Sequence, residues 1–270
     1  MSEHCPPSSC GSCSAPKAQL ARLGVSVGKS DYVVALAGNP NTGKSTVFNR
    51  LTGLRQHTGN WPGKTIARSE GGYGYSGKRY KIVDLPGTYS LRSASPDETV
   101  AREFILFGQP DVTVVVADAT SLERNLNLTL QVLQITDRAV LCLNLMDEAL
   151  AHGLIIDARA LASELGIPVV PCSARQGEGL DRLLAEIHGV ATGGIQTRPR
   201  RLELPIPGFA EAVRRISGRL LARFPGLANV EWIAQRLIEG DATISAKVDD
   251  GSIGGIEADH AAAAGKETTP

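Results

Sequence analysis

The sequence predicts an α/β protein: a mostly parallel six-stranded sheet flanked by helices, followed by a small all-helical domain. Two observations carry that expectation. From Tyr32 to about Gly193, short apolar runs alternate with stretches of helical periodicity, the pattern of successive βα units. At the first junction, residues 38–45 read GNPNTGKS, directly after the apolar run VVALA at 33–37 and before a helical stretch at 45–51. A glycine-bearing turn placed there aims backbone N–H groups and the positive end of the helix at an anion, which predicts phosphate binding.

In chain order, the strand candidates are 33–37, 67–73, 80–84, 112–118, 139–144 and 169–172. The run GGYGYSG at 71–77 is a turn region, so one antiparallel pair sits among the parallel strands. Ser95, Pro96, Asp97 and Glu98 supply an N-cap, a first-position proline and first-turn acids ahead of a helix through 101–107. Beyond Gly193 the chain carries prolines and arginines to Pro207, and apolar residues then recur at helical spacing over 209–224 and 230–237. The expected organisation is a tail at 1–30, a nucleotide-binding domain at 31–193, a helical domain at 194–245, and a flexible tail or truncation point at 246–270. There is no internal repeat.

Composition narrows the function. Lysine plus arginine equal aspartate plus glutamate at 28 each, so no basic field draws the chain to nucleic acid or an anionic membrane. The longest strongly apolar run, 112–117, is far short of the roughly 20 residues that cross a bilayer, and the expectation is a soluble, cytoplasmic chain. Cys142 and Cys172 lie in apolar strands and read as packing residues. Cys5, Cys10 and Cys13, with His4, offer thiolate and imidazole ligands to a soft or borderline metal, or form a reactive tail.

The loop at 38–45 gives Gly38, Asn39, Pro40, Asn41, Thr42, Gly43, Lys44, Ser45 and Thr46 as phosphate contacts, with Lys44 reaching the outer phosphates and the Ser45 hydroxyl ligating Mg2+. Three further loops end predicted strands. Asp84-Leu85-Pro86-Gly87 offers a carboxylate for Mg2+ through water and a Gly87 N–H for a terminal phosphate. Asn144-Leu145-Met146-Asp147 offers a carboxylate that accepts two N–H bonds from guanine and an asparagine for the base's ring nitrogen and carbonyl edge. Adenine would leave that carboxylate unpaired at a cost of several kcal/mol, so this loop selects guanine. Ser173-Ala174-Arg175 offers backbone N–H groups to the guanine carbonyl. All four loops stand at carboxyl ends of strands, where open α/β sheets bind ligands.

These residues resemble the small GTPases of the translation-factor-like class, and within them the cytoplasmic G domain of ferrous iron transport protein B. GNPNTGKSTVFNRLTG, QHTGNWPGKT, DLPGTYSL and LERNLNLTLQ carry the resemblance, which spans about 32–189 and extends to the helical segment through 241. Its most specific part is the loop NWPGKT at 60–65. The resemblance implies a P-loop GTPase that turns GTP into GDP and phosphate, with GTP/GDP, Mg2+ and K+ as cofactors. Gly63, Lys64 and Thr65 then belong to a first switch loop in which residues 56–64 are the mobile part and Thr65 ligates Mg2+ alongside Ser45. Asn41 would face K+, making Lys44, Thr65, Gly87 and Asn41 the catalytic set. The resemblance also implies that the chain is the N-terminal part of a transporter in the bacterial inner membrane, with the membrane-spanning part and small accessory iron-transport proteins as partners, no nucleic acid, and oligomerisation open.

Two departures from the usual pattern affect mechanism. Thr88 follows the Asp84–Gly87 motif where many GTPases carry a water-orienting glutamine, which predicts slow intrinsic hydrolysis. Leu145 stands where many carry a lysine that packs over the phosphate loop, which predicts loose nucleotide binding and fast release. The rival readings are a soluble GTPase switch in ribosome or tRNA biology and a metal-sensing protein using the N-terminal cysteines.

Overall fold

The structure, a computed structural model, describes residues 20, 23–53, 56–92, 95–201 and 206–253. Among the described residues seven strands form one sheet: β1 (Tyr32–Gly38), β2 (Gln56–Asn60), β3 (Ala67–Tyr75), β4 (Lys78–Asp84), β5 (Val112–Asp118), β6 (Ala139–Asn144) and β7 (Val169–Pro171), in spatial order β2-β3-β4-β1-β5-β6-β7. From β4 through β7 every pairing is parallel, whereas β3 runs antiparallel to both its neighbours, β2 and β4. The sequence expectation of six strands is corrected by β2. Its residues QHTGN have no apolar alternation, and the strand exists through backbone pairing with β3, from Gln56 opposite Gly71 to Asn60 opposite Ala67.

Nine helices surround the sheet: α1 (Lys44–Thr52), α2 (Pro96–Gly108), α3 (Leu122–Ile135), α4 (Met146–Ala151), α5 (Ala158–Leu165), α6 (Leu180–Thr192), α7 (Phe209–Arg223), α8 (Val230–Ile238) and α9 (Ala242–Asp249), counted among the described residues. The continuous apolar strands are explained by the two faces. Val33, Ala35 and Ala37 of β1 enter one core with Val115, Leu141 and Phe104, and Val34 and Leu36 enter a second with Val114, Val140 and Phe48. Side chains alternate across a strand, so a strand covered by helices on both faces must be apolar throughout. Cys142 and Cys172 are buried free thiols in the second core, as read from the sequence.

The predicted helix start at Ser95 holds. Its hydroxyl accepts from the Glu98 N–H at 3.2 Å, and Pro96 opens α2. Helices α7, α8 and α9 share the first core: Val213, Leu220, Phe224, Trp232, Ile233, Ile244 and Val248 join Phe104 and Phe107 of α2. The helical segment is therefore seated on the nucleotide domain rather than separate from it. It also runs beyond residue 246, where the sequence suggested a loose tail. Asp241 caps α9 by accepting from the Thr243 and Ile244 N–H groups, each at 3.0 Å, and Val248 and Ile253 are buried. At the other end, Leu20 and Val25 belong to the first core, which corrects the expected tail at 1–30 for the part described. His4, Cys5, Cys10 and Cys13 lie outside the described residues.

Candidate nucleotide-binding site

The turn after β1 is built by close approach. Gly38 lies so near β5 that a side chain there would begin 2.7 Å from the Val116 carbonyl oxygen. Gly43 has φ +78°, and a side chain on it would begin 2.3 Å from the Asn144 amide nitrogen. Neither place tolerates a Cβ, and the left-handed backbone at Gly43 adds a second reason for glycine. Thr42 is buried and donates its hydroxyl to the Asn39 carbonyl at 3.0 Å, closing the loop internally. Asn41 projects to solvent with φ +66°. Helix α1 begins at Lys44, and Gly43 gives no side-chain cap to its first turn, so those N–H groups face outward as anion donors.

Each remaining loop is tied to this turn. At the end of β4, Asp84 accepts a hydrogen bond from the Lys44 ammonium, and the Thr88 N–H donates to the Gly38 carbonyl at 3.2 Å. Gly87 packs beside Pro40, at 3.5 Å from where its side chain would start. Burial pushes the Asp84 carboxyl above the usual carboxylate range, while the Lys44 charge and hydrogen bond offset part of that rise. The Thr88 hydroxyl donates to the Ser90 carbonyl at 2.7 Å, a local turn bond that occupies the side chain.

Asn144 joins three loops. Its amide donates to the Thr42 carbonyl at 2.9 Å, and its side-chain oxygen accepts from the Ala174 N–H at 3.0 Å. It is buried at 1% exposure, so sequence reasoning that aimed it at a base missed this positioning task. The signal was available, since an asparagine ending a fully buried strand must spend its polar atoms on neighbouring backbone. Leu145 holds φ +62°, an uncommon conformation for a bulky residue, and its side chain lies 4.0 Å from the position a Gly43 side chain would take. It thus covers Gly43 with apolar surface, although it lacks a lysine's charge. Met146 donates its N–H to the Cys172 carbonyl at 3.1 Å, and half-buried Asp147 accepts from the Gln176 amide at 3.0 Å. Ser173 and Ala174 are buried and Arg175 is exposed.

The structure therefore gathers residues 38–46, 84–87, 144–147 and 173–175 at the carboxyl edge of the sheet. Gly63, Lys64 and Thr65 are different. They lie in the turn between β2 and β3, closed by the Trp61 N–H to the Ile66 carbonyl at 3.0 Å, and among the described residues no hydrogen bond or ion pair joins them to the phosphate loop. Trp61 is buried in the first core, edge-on to Phe104 at 5.5 Å between ring centres.

Comparison with known proteins agrees with this geometry. The family model described as ferrous iron transport protein B matches residues 32–187. The chain belongs to that family. The ferrous iron transport protein B of Salmonella choleraesuis (strain SC-B67), an Fe(2+) transporter, is 38% identical over 216 residues, covering 77% of this chain and 27% of the relative. This chain thus spans about a quarter of the length of the curated relatives it matches. The cytosolic domain of the T. maritima iron transporter, solved in an apo form, superposes with a TM-score of 0.72 at 35% identity, covering 84% of this chain and 87% of that one. The L. pneumophila cytosolic domain gives 0.73 at 33% identity, covering 82% and 87%. The T. maritima domain has also been solved in GDP and GMPPNP forms. Among the described residues, no helix is long and apolar enough to cross a membrane.

Proposed function

We propose that this chain binds GTP, hydrolyses it to GDP and phosphate, and acts as the nucleotide-responsive cytoplasmic part of a longer ferrous iron transporter in the bacterial inner membrane. The observation that carries the reading is Asn144. Through its two bonds it fixes the phosphate turn at Thr42 and the base-edge loop at Ala174 in one frame, with Asp147 three residues on. A phosphate turn alone leaves the base open; a frame that sets a carboxylate beside it favours guanine.

The residues fit the groups such chemistry needs. The Lys44 ammonium and the Asp84 carboxylate converge at the start of α1, where Ser45 is exposed. On nucleotide binding Lys44 exchanges Asp84 for the outer phosphates, and Asp84 is freed to orient water. Hydroxyl and carboxylate oxygens are donors of the class Mg2+ prefers, so Ser45, Thr65 and, through water, Asp84 would hold it. Exposed Asn41 would hold K+ with its side-chain oxygen. Both cations would neutralise charge that develops on the phosphates. The Gly87 N–H and the first-turn N–H groups of α1 orient the terminal phosphate. Because Thr88 spends its hydroxyl on Ser90, the attacking water is left to backbone groups, consistent with slow turnover stimulated by potassium.

The test compares GTP with ATP hydrolysis by the purified chain with Mg2+, in matched potassium and sodium buffers, beside an Asn41→Ala variant. Faster GTP turnover in potassium, lost in the variant, is the expected result. Equal rates in the two salts would remove the potassium site, and preferred ATP turnover would overturn the base assignment.

A further inference from the structure

The segment before β1, described at residues 20 and 23–31, belongs to none of the nucleotide loops, yet it is bonded to the hairpin that carries the first switch. Val25 is fully buried and closes a turn by donating its N–H to the Leu20 carbonyl at 2.9 Å. Gly24, at φ +80°, sits against that hairpin: a side chain there would begin 2.5 Å from an Arg68 guanidinium nitrogen and 2.6 Å from Pro62 Cγ. Two cations of the hairpin sheet then reach the segment's backbone. Arg68 of β3 donates to the Leu23 carbonyl at 3.3 Å, and Lys81 of β4 donates to the Ser26 carbonyl. Glu70 of β3, itself buried, orients both by pairing with Arg68 Nε at 2.8 Å and with Lys81. On its other side the segment meets α2, where Leu20 and Leu23 methyls lie 3.2 and 3.1 Å from the point at which a Gly108 side chain would begin. The segment therefore bridges the hairpin of the first switch and the helix that follows the Asp84–Gly87 loop.

β3 is bonded to β4 along its length, from Ser69 opposite Asp84 to Tyr75 opposite Lys78, but the outer part of the hairpin, β2 and the turn at 61–66, has little else to hold it. β2 is a polar edge strand paired on one side only, and the residues whose burial is described are exposed. Its anchor, Trp61, is buried with an indole N–H that has no hydrogen-bond partner among the described atoms, which weakens the docked state. Pro62, the next residue, is the one that Gly24 abuts. We propose that the segment at residues 20 and 23–31 acts as a latch that holds β2 and the 61–66 turn docked, so that lifting the segment frees them and exposes Trp61. Arg68, Glu70 and Lys81 are the positioning residues of that latch. This regulation rests on reading the hairpin as the first switch, but hairpin release is measurable without nucleotide.

Amide hydrogen exchange of the whole chain tests it, with Gly24→Val to force the segment off Pro62 and Leu20→Asp to lift it from α2. Exchange across residues 56–61 is expected to rise about tenfold or more in both variants, while β5 and β6 keep their protection, the signature of a local opening. Acrylamide quenching of Trp61 in a Trp232→Phe background should rise in parallel. Unchanged hairpin exchange in both variants would overturn the latch, as would loss of protection in β5 and β6 to the same degree, which would make the segment ordinary core. Failure of GTP hydrolysis, by contrast, would count against the nucleotide reading alone.

Discussion

Lys44 donates a hydrogen bond to Asp84, so the cation that opens α1 and the carboxylate that closes β4 neutralise each other across the phosphate turn. Their side chains are only 11% and 17% exposed, which makes each the other's main counter-charge. Burial still holds the Asp84 carboxyl above the usual carboxylate range. A raised value favours the protonated acid in the fold, so this stability contribution is complete below the unfolded pKa and is lost as pH rises through the folded one. Activity runs the other way, because orienting the water around Mg2+ needs the carboxylate. The kcat/KM for GTP, which reports the nucleotide-free protein, is expected to fall as pH drops through the raised value, on an acid limb above the ordinary aspartate range. Asp84→Asn should lower turnover at least about tenfold and remove the limb. An unchanged limb in the variant would assign it to another group.

Replacing Asn144 by alanine strips partners from a buried carbonyl and a buried N–H at once, those of Thr42 and Ala174. Each orphaned group costs about 1–3 kcal/mol, so a total loss of roughly 2–6 kcal/mol is expected in urea unfolding. Gly43→Ala should fall in the same range, since its new methyl would press on the Asn144 amide from a strained backbone. A loss under about 0.5 kcal/mol for either would show that the loops are held by other means.

Asp147→Asn changes one carboxylate oxygen to an amide at a half-buried position bonded to Gln176. Hydrogen bonds to a charged group are worth about 1.5–3 kcal/mol, so GTP affinity should fall roughly ten- to a hundredfold while affinity for xanthosine triphosphate, whose base edge presents an oxygen there, rises. Calorimetric titration with both nucleotides measures the exchange. Parallel weakening of both would indicate a folding defect rather than lost base selection.

Particular residues show what could and could not be read in advance. The parallel strands were legible because both faces are covered, which forces runs such as VVALA and VTVVVA, and the nucleotide loops were legible because glycines and polar residues punctuate those runs. β2 was not, since QHTGN is held by backbone pairing that no side-chain pattern announces. α9 was hidden for a related reason: its buried face rests on Ile244 and Val248 alone, and its start depends on an Asp241 cap that looks like any surface aspartate. The anchoring task of Trp61 was not legible either, since it depends on Phe104 of α2, distant in sequence, against which the ring packs edge-on. Asp118 ends β5 and caps the next turn, accepting from the Thr120 N–H at 2.7 Å.

Asp241 links the helical segment to the nucleotide domain with one oxygen for each task. Oδ1 caps α9, and Oδ2 accepts from Arg102 of α2 at 2.8 Å. Arg102 is 1% exposed, its guanidinium lies 5.8 Å from the Trp232 ring centre, and two of its nitrogens have no hydrogen-bond partner among the described atoms. Removing the carboxylate leaves that buried cation uncompensated, at about 3–5 kcal/mol, and deletes a cap worth about 1 kcal/mol. Asp241→Ala is therefore expected to destabilise by roughly 4–6 kcal/mol and to unravel α9 first, visible as early exchange of residues 242–249. Arg102→Met removes the cation together with its unpaired nitrogens while filling similar volume, and should cost far less. Combining the two should then cost less than the sum, because the methionine abolishes the charge that made the aspartate indispensable. Additive losses in that double-mutant cycle would show that Asp241 acts on α9 alone and that the two parts of the chain are joined by their shared apolar core.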